Sequence, residues 1–302
     1  MGPGCLVCGG TRFEPRFGML VRCRTCGFVT AAPEAVGFSG DARDLYRGDY
    51  FTGGEYLDYA GDQAFFRRNF RRRLEGVLAR RRGGLLVEVG AAYGFFLDLA
   101  RAHFRTVGFE VNPEAVRHAR HQLGLDVREA DFLEATRESI GGPADVLVMW
   151  DVIEHLDRPD AYLMKAAELA APGALLFITT GDIGSLPARL RGRRWRMIHP
   201  PTHLHYFDRR TLTRLLERCG FEVLNIRSTG VARSLRQILY SLLVLKLRLN
   251  VIWRLARAVI PASWGFSLNT GDIMLVTARL QGVPGRQASP GAGGRTAAVG
   301  GF

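Results

Sequence analysis

The sequence predicts an α/β fold, a mostly parallel Rossmann-like sheet of seven strands with a small cysteine ribbon ahead of it. Three observations carry this. Leu85, Leu86, Val87 and Val89 form a short apolar run, the pattern of a strand buried on both faces, and it breaks at Gly90 and Gly94 before an amphipathic helical stretch, Phe95 to His103. Further apolar runs, closed by an acid or a turn, alternate with helical segments, as strand–helix units do. Near the N-terminus, Cys5-x-x-Cys8-Gly and Cys23-x-x-Cys26-Gly stand 14 residues apart. A chain of 302 residues suits one such domain with attachments and a sizeable core.

Residues 1–36 read as a zinc ribbon. The glycine after each cysteine pair permits the tight turn that aims two thiolates at one ion, and Cys5, Cys8, Cys23 and Cys26 together make a closed tetrahedral site. So small a segment buries little apolar area, so the metal supplies much of its folding energy. A redox dithiol would need a strand–helix context that is absent here. Residues 37–82 hold an aromatic, glycine-rich stretch (Tyr46 to Tyr59) and a basic helix (Phe65 to Arg82) whose runs Arg71 to Arg73 and Arg80 to Arg82 read as solvated faces.

Residues 83–281 form the main domain. A strand that turns tightly into a helix offers backbone N–H groups to a ligand, and glycines there permit close approach. The dinucleotide fingerprint places small residues at i, i+2 and i+5, but five places after Gly90 stands the bulky Phe95. No G-x-x-x-x-G-K-[ST] loop occurs, which removes the phosphate-cradling alternative. The pattern found, Glu88-x-Gly90-x-x-x-Gly94, resembles motif I of class I S-adenosylmethionine (SAM) methyltransferases.

Further matches follow in order. Val107 to Glu110 is a second strand ending in an acid 22 residues after Glu88, placed to accept from ribose hydroxyls. Asn112-Pro113-Glu114 starts a helix with proline where its missing N–H is harmless. Leu125 to Ala130 is a third strand followed by Asp131-Phe132, and Ala144 to Trp150 a fourth closed by Asp151. The resemblance, over residues 45 to 280, implies SAM as cofactor, held by Glu88, Gly90, Ala91, Gly94, Glu110, Val111, Asp131, Phe132 and Asp151. It implies an adenine contact for Asp131-Phe132 and a lid for the tyrosine-rich stretch; packing of the ribbon on the core is the other reading of those rings.

Ala161 to Ala171 is helical, and Pro172-Gly173 breaks into a fifth strand, Ala174 to Thr180. Ser185 to Pro201 reads as a basic loop, Thr211 to Cys219 as a helix with Cys219 an ordinary buried thiol, and Phe221 to Ile226 as a sixth strand. Gly271 to Ala278 is a seventh, which the resemblance pairs antiparallel with the sixth. Between them, insertion 231–266 is densely apolar and basic, without an acid. A substrate-side cap or homodimer face is the preferred reading, and a basic amphipathic helix on anionic lipid the alternative. Residues 282–302, rich in Gly, Ala and Pro, read as a disordered tail.

Methyl transfer asks the protein to align acceptor and donor and, for an oxygen or carbon acceptor, to remove a proton. Histidine suits that task near neutral pH. His203, in His199-Pro-Pro-Thr-His203-Leu-His205, is the first candidate base, followed by His155, which lies with Asp151 and Glu154 on one helical turn. The latter segment resembles quinone-pathway O-methyltransferases, in which a divalent metal assists the acceptor. The expected function is O-methylation of a small-molecule, saccharide or lipid-linked acceptor; ribbon and aromatic stretch also resemble sugar C-methyltransferases. A non-catalytic SAM-binding module is the third reading. Net charge is +12, but only Lys165 and Lys246 are lysines, a skew that fits compositional habit as well as a nucleic-acid surface. A nucleic-acid methyltransferase, supported by the charge and the ribbon, stays an alternative that the absence of an Asn/Asp-Pro-Pro-aromatic motif after the fourth strand counts against. Without a signal-peptide run or a span of ~20 apolar residues, a cytoplasmic protein is expected, with peripheral contact to the inner membrane face as the variant.

Overall fold

The structure is a computed structural model and describes residues 4–33, 61–261 and 263–282. Tyr46 to Tyr59 and the tail from residue 283 lie outside the described residues, and the lid and tail readings lie there with them. The cysteine segment folds as three short antiparallel strands, β1 (Phe13–Arg16), β2 (Leu20–Cys23) and β3 (Val29–Ala31).

Helix α1 (Gln63–Leu78) leads into the main sheet. Its strands are β4 (Leu85–Val89), β5 (Arg105–Glu110), β6 (Val127–Glu129), β7 (Ala144–Trp150) and β8 (Ala170–Gly181), crossed over by α2 (Phe95–Ala100), α3 (Pro113–His121) and α4 (Pro159–Leu169). Asn112 caps α3 by accepting from the amides of Glu114 and Ala115, as its Asn-Pro start predicts. After α5 (Leu186–Arg191) and the two-residue strand β9 (His205–Tyr206) come α6 (Arg209–Arg218) and strand β10 (Phe221–Ser228). The insertion forms β11 (Val231–Ser234), α7 (Leu235–Tyr240), a π-helical stretch (Ser241–Lys246), α8 (Asn250–Val259) and β12 (Gly265–Leu268), and β13 (Ile273–Leu280) closes the fold.

The order in the main sheet is β10-β13-β8-β7-β4-β5-β6. β13 runs antiparallel to both neighbours, and the rest pair in parallel, as expected of the sixth and seventh strands. Strand order reverses at β4, which pairs with β5 on one side and β7 on the other. Ligands of such sheets bind in the crevice beyond the strand ends at that point, where Gly90 and Asp151 stand.

Four local readings are corrected. The stretch from Ser185 is not all loop: the Ser185 hydroxyl accepts from the Ala188 amide and starts α5, with Pro187 in the first turn. Helix α6 starts two residues early because Asp208 and Thr211 form a reciprocal cap. Strand β8 starts at Ala170 and carries Pro172-Gly173 within it, with an irregularity in its pairing to β7. The insertion is a strand pair, β11 with β12, enclosing its helices.

Candidate active site

The turn after β4 is shaped by packing. Gly90 and Gly94 have φ of +70° and +80°. A Cβ at Gly90 would stand 2.6 Å from Val152 Cγ2, and one at Gly94 2.6 Å from Leu125 Cδ1, so side chains are excluded on two grounds. The expectation of free loop amides is corrected: Gly90 and Ala91 donate to the Phe109 carbonyl at 2.9 and 3.0 Å, and Gly94 to the Ala91 carbonyl. The loop therefore joins β4 to β5 through its backbone.

That joint positions Glu110. Its carboxylate accepts from the amides of Ala92 (2.8 Å), Val111 (2.8 Å) and Asn112 (2.9 Å). Burial raises its pKa, and these donors pull part of the way back. Three of roughly four lone-pair sites are filled, leaving room for a ligand hydroxyl. Glu88 is buried in mid-strand, with Oε2 lacking a hydrogen-bond partner among the described residues. Burial holds its pKa well above the ordinary value, against the opposing charge of Arg73. Asp131 accepts from the Leu133 amide (2.9 Å) and the Tyr162 hydroxyl (2.7 Å), whereas the Phe132 ring lies in the core, edge-on to Phe109.

Arg73, expected on a solvated face, is instead buried beside Asp151. Arg71 and Arg72 are exposed, but Arg73 is 7% exposed. It donates to Asp151 Oδ2 at 2.9 Å and lies 5.2 Å from the Trp150 ring centre and 5.4 Å from that of Phe70. The signal was helical phase, since Phe70, Arg73 and Val77 recur on the buried face of α1. Burial works to raise the Asp151 pKa, but the Arg73 charge and hydrogen bond outweigh it and leave it below the ordinary value.

Past Asp151, the two candidate bases converge with His199 beside them. His155 donates from Nδ1 to the Thr202 carbonyl (2.8 Å), which leaves Nε2 as the acceptor nitrogen. The His203 ring stands 4.6 Å from His155 and 3.8 Å from His199. Burial holds the His155 pKa at about 4 and that of His203 well below its ordinary value, with neighbouring imidazoles adding to both. Such histidines are neutral at physiological pH. His205 turns away to the ribbon, with Nδ1 3.0 Å from the Thr30 hydroxyl.

Glu154 is displaced toward neutrality. Both its oxygens are buried without a hydrogen-bond partner among the described residues, and burial, then the Asp151 charge, raises its pKa from 4.5 to about 8. Ligand atoms of Glu154, His155 and His203 lie within 4.8 Å of one another. This carries a prediction. The unfolded chain loses the Glu154 proton near pH 4.5 while the folded chain keeps it to about 8, so this group lowers stability as pH rises through that window. Glu154→Gln cannot ionise and is expected to melt higher than the parent at pH ~8 and alike at pH ~4.5, by calorimetry. Equal melting at the higher pH would contradict the assignment.

The four N-terminal cysteines also converge. Their sulfurs lie within 4.8 Å of one another, with Cys5–Cys26 and Cys8–Cys23 each 3.6 Å apart. A tetrahedron with ~2.3 Å metal–sulfur bonds has edges of ~3.8 Å, so the donor set fits one zinc ion.

Residues 60–226, over half the chain, match a family described as a methyltransferase domain. Over 102 residues the chain is 34% identical to a ubiquinone biosynthesis O-methyltransferase of Caulobacter vibrioides, covering 32% of this chain and 37% of that protein. Over 197 residues it is 26% identical to a protein of the same name from Cereibacter sphaeroides, covering 62% and 69%. The chain spans little more than a third of the length of the first of these curated relatives. The fold is similar to magnesium protoporphyrin IX methyltransferase of Synechocystis with bound SAH: TM-score 0.51, 14% identity, 80% of this chain and 100% of that one.

Proposed function

The chain belongs to the class I SAM-dependent methyltransferases, and we propose that it transfers a methyl group from SAM to a hydroxyl of a small-molecule, saccharide or lipid-linked acceptor. The observation that carries the oxygen acceptor is the Glu154, His155 and His203 cluster just beyond Asp151. The relatives named as O-methyltransferases point the same way.

SAM, when bound, supplies the electrophilic methyl group, and the chain's residues hold and orient the reactants. Glu110 takes a ribose hydroxyl at its open lone-pair site and Asp131 the adenine amino group. The orphaned oxygen of Glu88 and the free lone pair of Glu110 fit a polar ligand beside the β4 turn. Asp151, fixed by Arg73, closes the methionine side of that pocket. His203 and His155, held neutral, orient the acceptor hydroxyl. Glu154, rather than either histidine, takes its proton, because a base works best with a pKa near the working pH. Zinc on Cys5, Cys8, Cys23 and Cys26 is structural, with all four positions filled by the chain.

The test is labelled-methyl transfer to hydroxyl acceptors drawn from phenol, saccharide and lipid fractions, measured across pH. The rate is expected to rise with pH through about 8 as Glu154 ionises. Glu154→Gln is expected to remove that limb and about 10²–10⁴ of the rate while SAH still binds. A variant with full turnover and an unchanged profile would defeat the assignment. One carboxylate and two neutral imidazoles also suit a divalent cation beside the acceptor. Loss of turnover in EDTA, restored by magnesium or manganese, would favour that second reading.

A further inference from the structure

Helix α8 turns an apolar stripe away from the protein. Trp253 is its buried side chain and packs edge-on against Tyr240, with ring centres 5.7 Å apart, which sets the rotation of the helix. Opposite Trp253, Val251, Leu255 and Val259 follow at i, i+4 and i+8 with Ile252 beside them. They are 70%, 68%, 79% and 50% exposed. Trp264, Phe266 and Leu268 of the same insertion are exposed as well. Single apolar side chains on a surface are ordinary, but a contiguous stripe of this kind marks a contact face.

The charge says what the contact is. Between Glu222 and Asp272 the chain has seven basic residues and no acid. Arg254 borders the stripe and Arg257 lies one turn on, both exposed. A two-fold contact with a second copy would set these cations against their equivalents, with no acid in the insertion to pair them. An anionic lipid surface accepts both parts: apolar side chains sink below the headgroups and arginines meet the phosphates. We propose that α8 docks this chain on an anionic lipid surface, lying in the interface plane with Val251, Leu255 and Val259 inserted. The cap or dimer face preferred from the sequence is the reading this proposal is set against; in α8 Trp253 is the buried side chain and the apolar arc is exposed.

The same insertion is tied to the body. The Asn69 side chain on α1 pairs with the Ala232 carbonyl (3.0 Å) and amide (2.6 Å) of β11, and Arg73 lies one turn further along α1. Docking would therefore set the molecule's orientation on the lipid through α1.

The test sediments the full chain with phosphatidylcholine vesicles, with and without phosphatidylglycerol, at low and high salt. Binding to the anionic vesicles alone, weakened by salt, is expected. Leu255→Gln combined with Val259→Gln should lower partition by at least about tenfold, and Arg254→Gln by about fivefold, with melting unchanged for both. No sedimentation with anionic vesicles, or binding untouched by the double substitution, would overturn the proposal. So would a dimer, seen by sedimentation velocity, that the double substitution dissociates while vesicles are ignored. SAH affinity, read separately by calorimetry, is expected to stay at the parent value throughout.

Discussion

Glu110→Ala is expected to weaken SAH and SAM binding by about a hundredfold or more. A hydrogen bond from a ribose hydroxyl to the one open lone-pair site of this carboxylate is worth ~1.5–3 kcal/mol, about tenfold to over a hundredfold in Kd. A second effect adds to this. The same carboxylate accepts from three amides, including that of Ala92, whose φ of +45° is unusual for a residue with a side chain. Removing it orphans those donors and releases a strained turn, so the pocket loses its shape together with its ligand contacts. Glu110→Gln keeps an acceptor but brings an NH₂ group toward donors that cannot receive it, and is expected to fall between the two. Calorimetric titration with SAH decides: an alanine variant within about threefold of the parent would place the adenosyl group elsewhere.

The sheet and its cofactor end were legible because their signals are local. An apolar run such as Leu85 to Val89 reports burial on both faces, and Asn112-Pro113 reports a helix start, without knowledge of any distant partner. The glycines were found for partly the wrong reason. The sequence shows that the turn needs them but not that Val152 and Leu125 fill the space, since those residues arrive from elsewhere in the fold. Glu154 illustrates the limit on the chemistry. Its carboxylate is ordinary in sequence, and only burial beside Asp151 brings its pKa near neutrality. His203 and His205 alternate as an extended segment should, and the structure sends one to His155 and the other to Thr30. Which goes where depends on a pairing between residues 30 and 205 that leaves no local trace.

That pairing ties the ribbon to the segment proposed to orient the acceptor, so zinc removal is expected to have the second large effect. Strand β9 is the fourth strand of the ribbon's sheet, bound through Ala31 N to the Leu204 carbonyl at 2.8 Å and Thr30 Oγ1 to the same carbonyl at 3.0 Å. On its other side, the amides of Leu204 and His205 both donate to the Glu154 carbonyl, at 2.9 and 3.0 Å. Phe28, two residues past Cys26, packs 5.3 Å from Phe207 and 5.6 Å from His205. A short chain of contacts thus runs from the cysteines to Glu154. The ribbon's strands have four, four and three residues, and ordering each residue costs ~1–2 kcal/mol. A zinc ion held by the four cysteines would contribute ~10–16 kcal/mol, enough to keep the segment folded. Stripping the metal, or Cys26→Ser, is expected to melt the ribbon, loosen residues 204–206 and cut methyl transfer by about tenfold or more through misplacement of the acceptor. The donor side rests on β4, β5 and β7, whose hydrogen bonds among the described residues do not involve the ribbon, so SAH affinity should stay within about threefold of the parent. Zinc content, SAH calorimetry and turnover measured on one sample separate the cases. Unchanged turnover in metal-free protein would detach the ribbon from the acceptor site, and parallel loss of SAH binding would mean that the metal supports the whole fold.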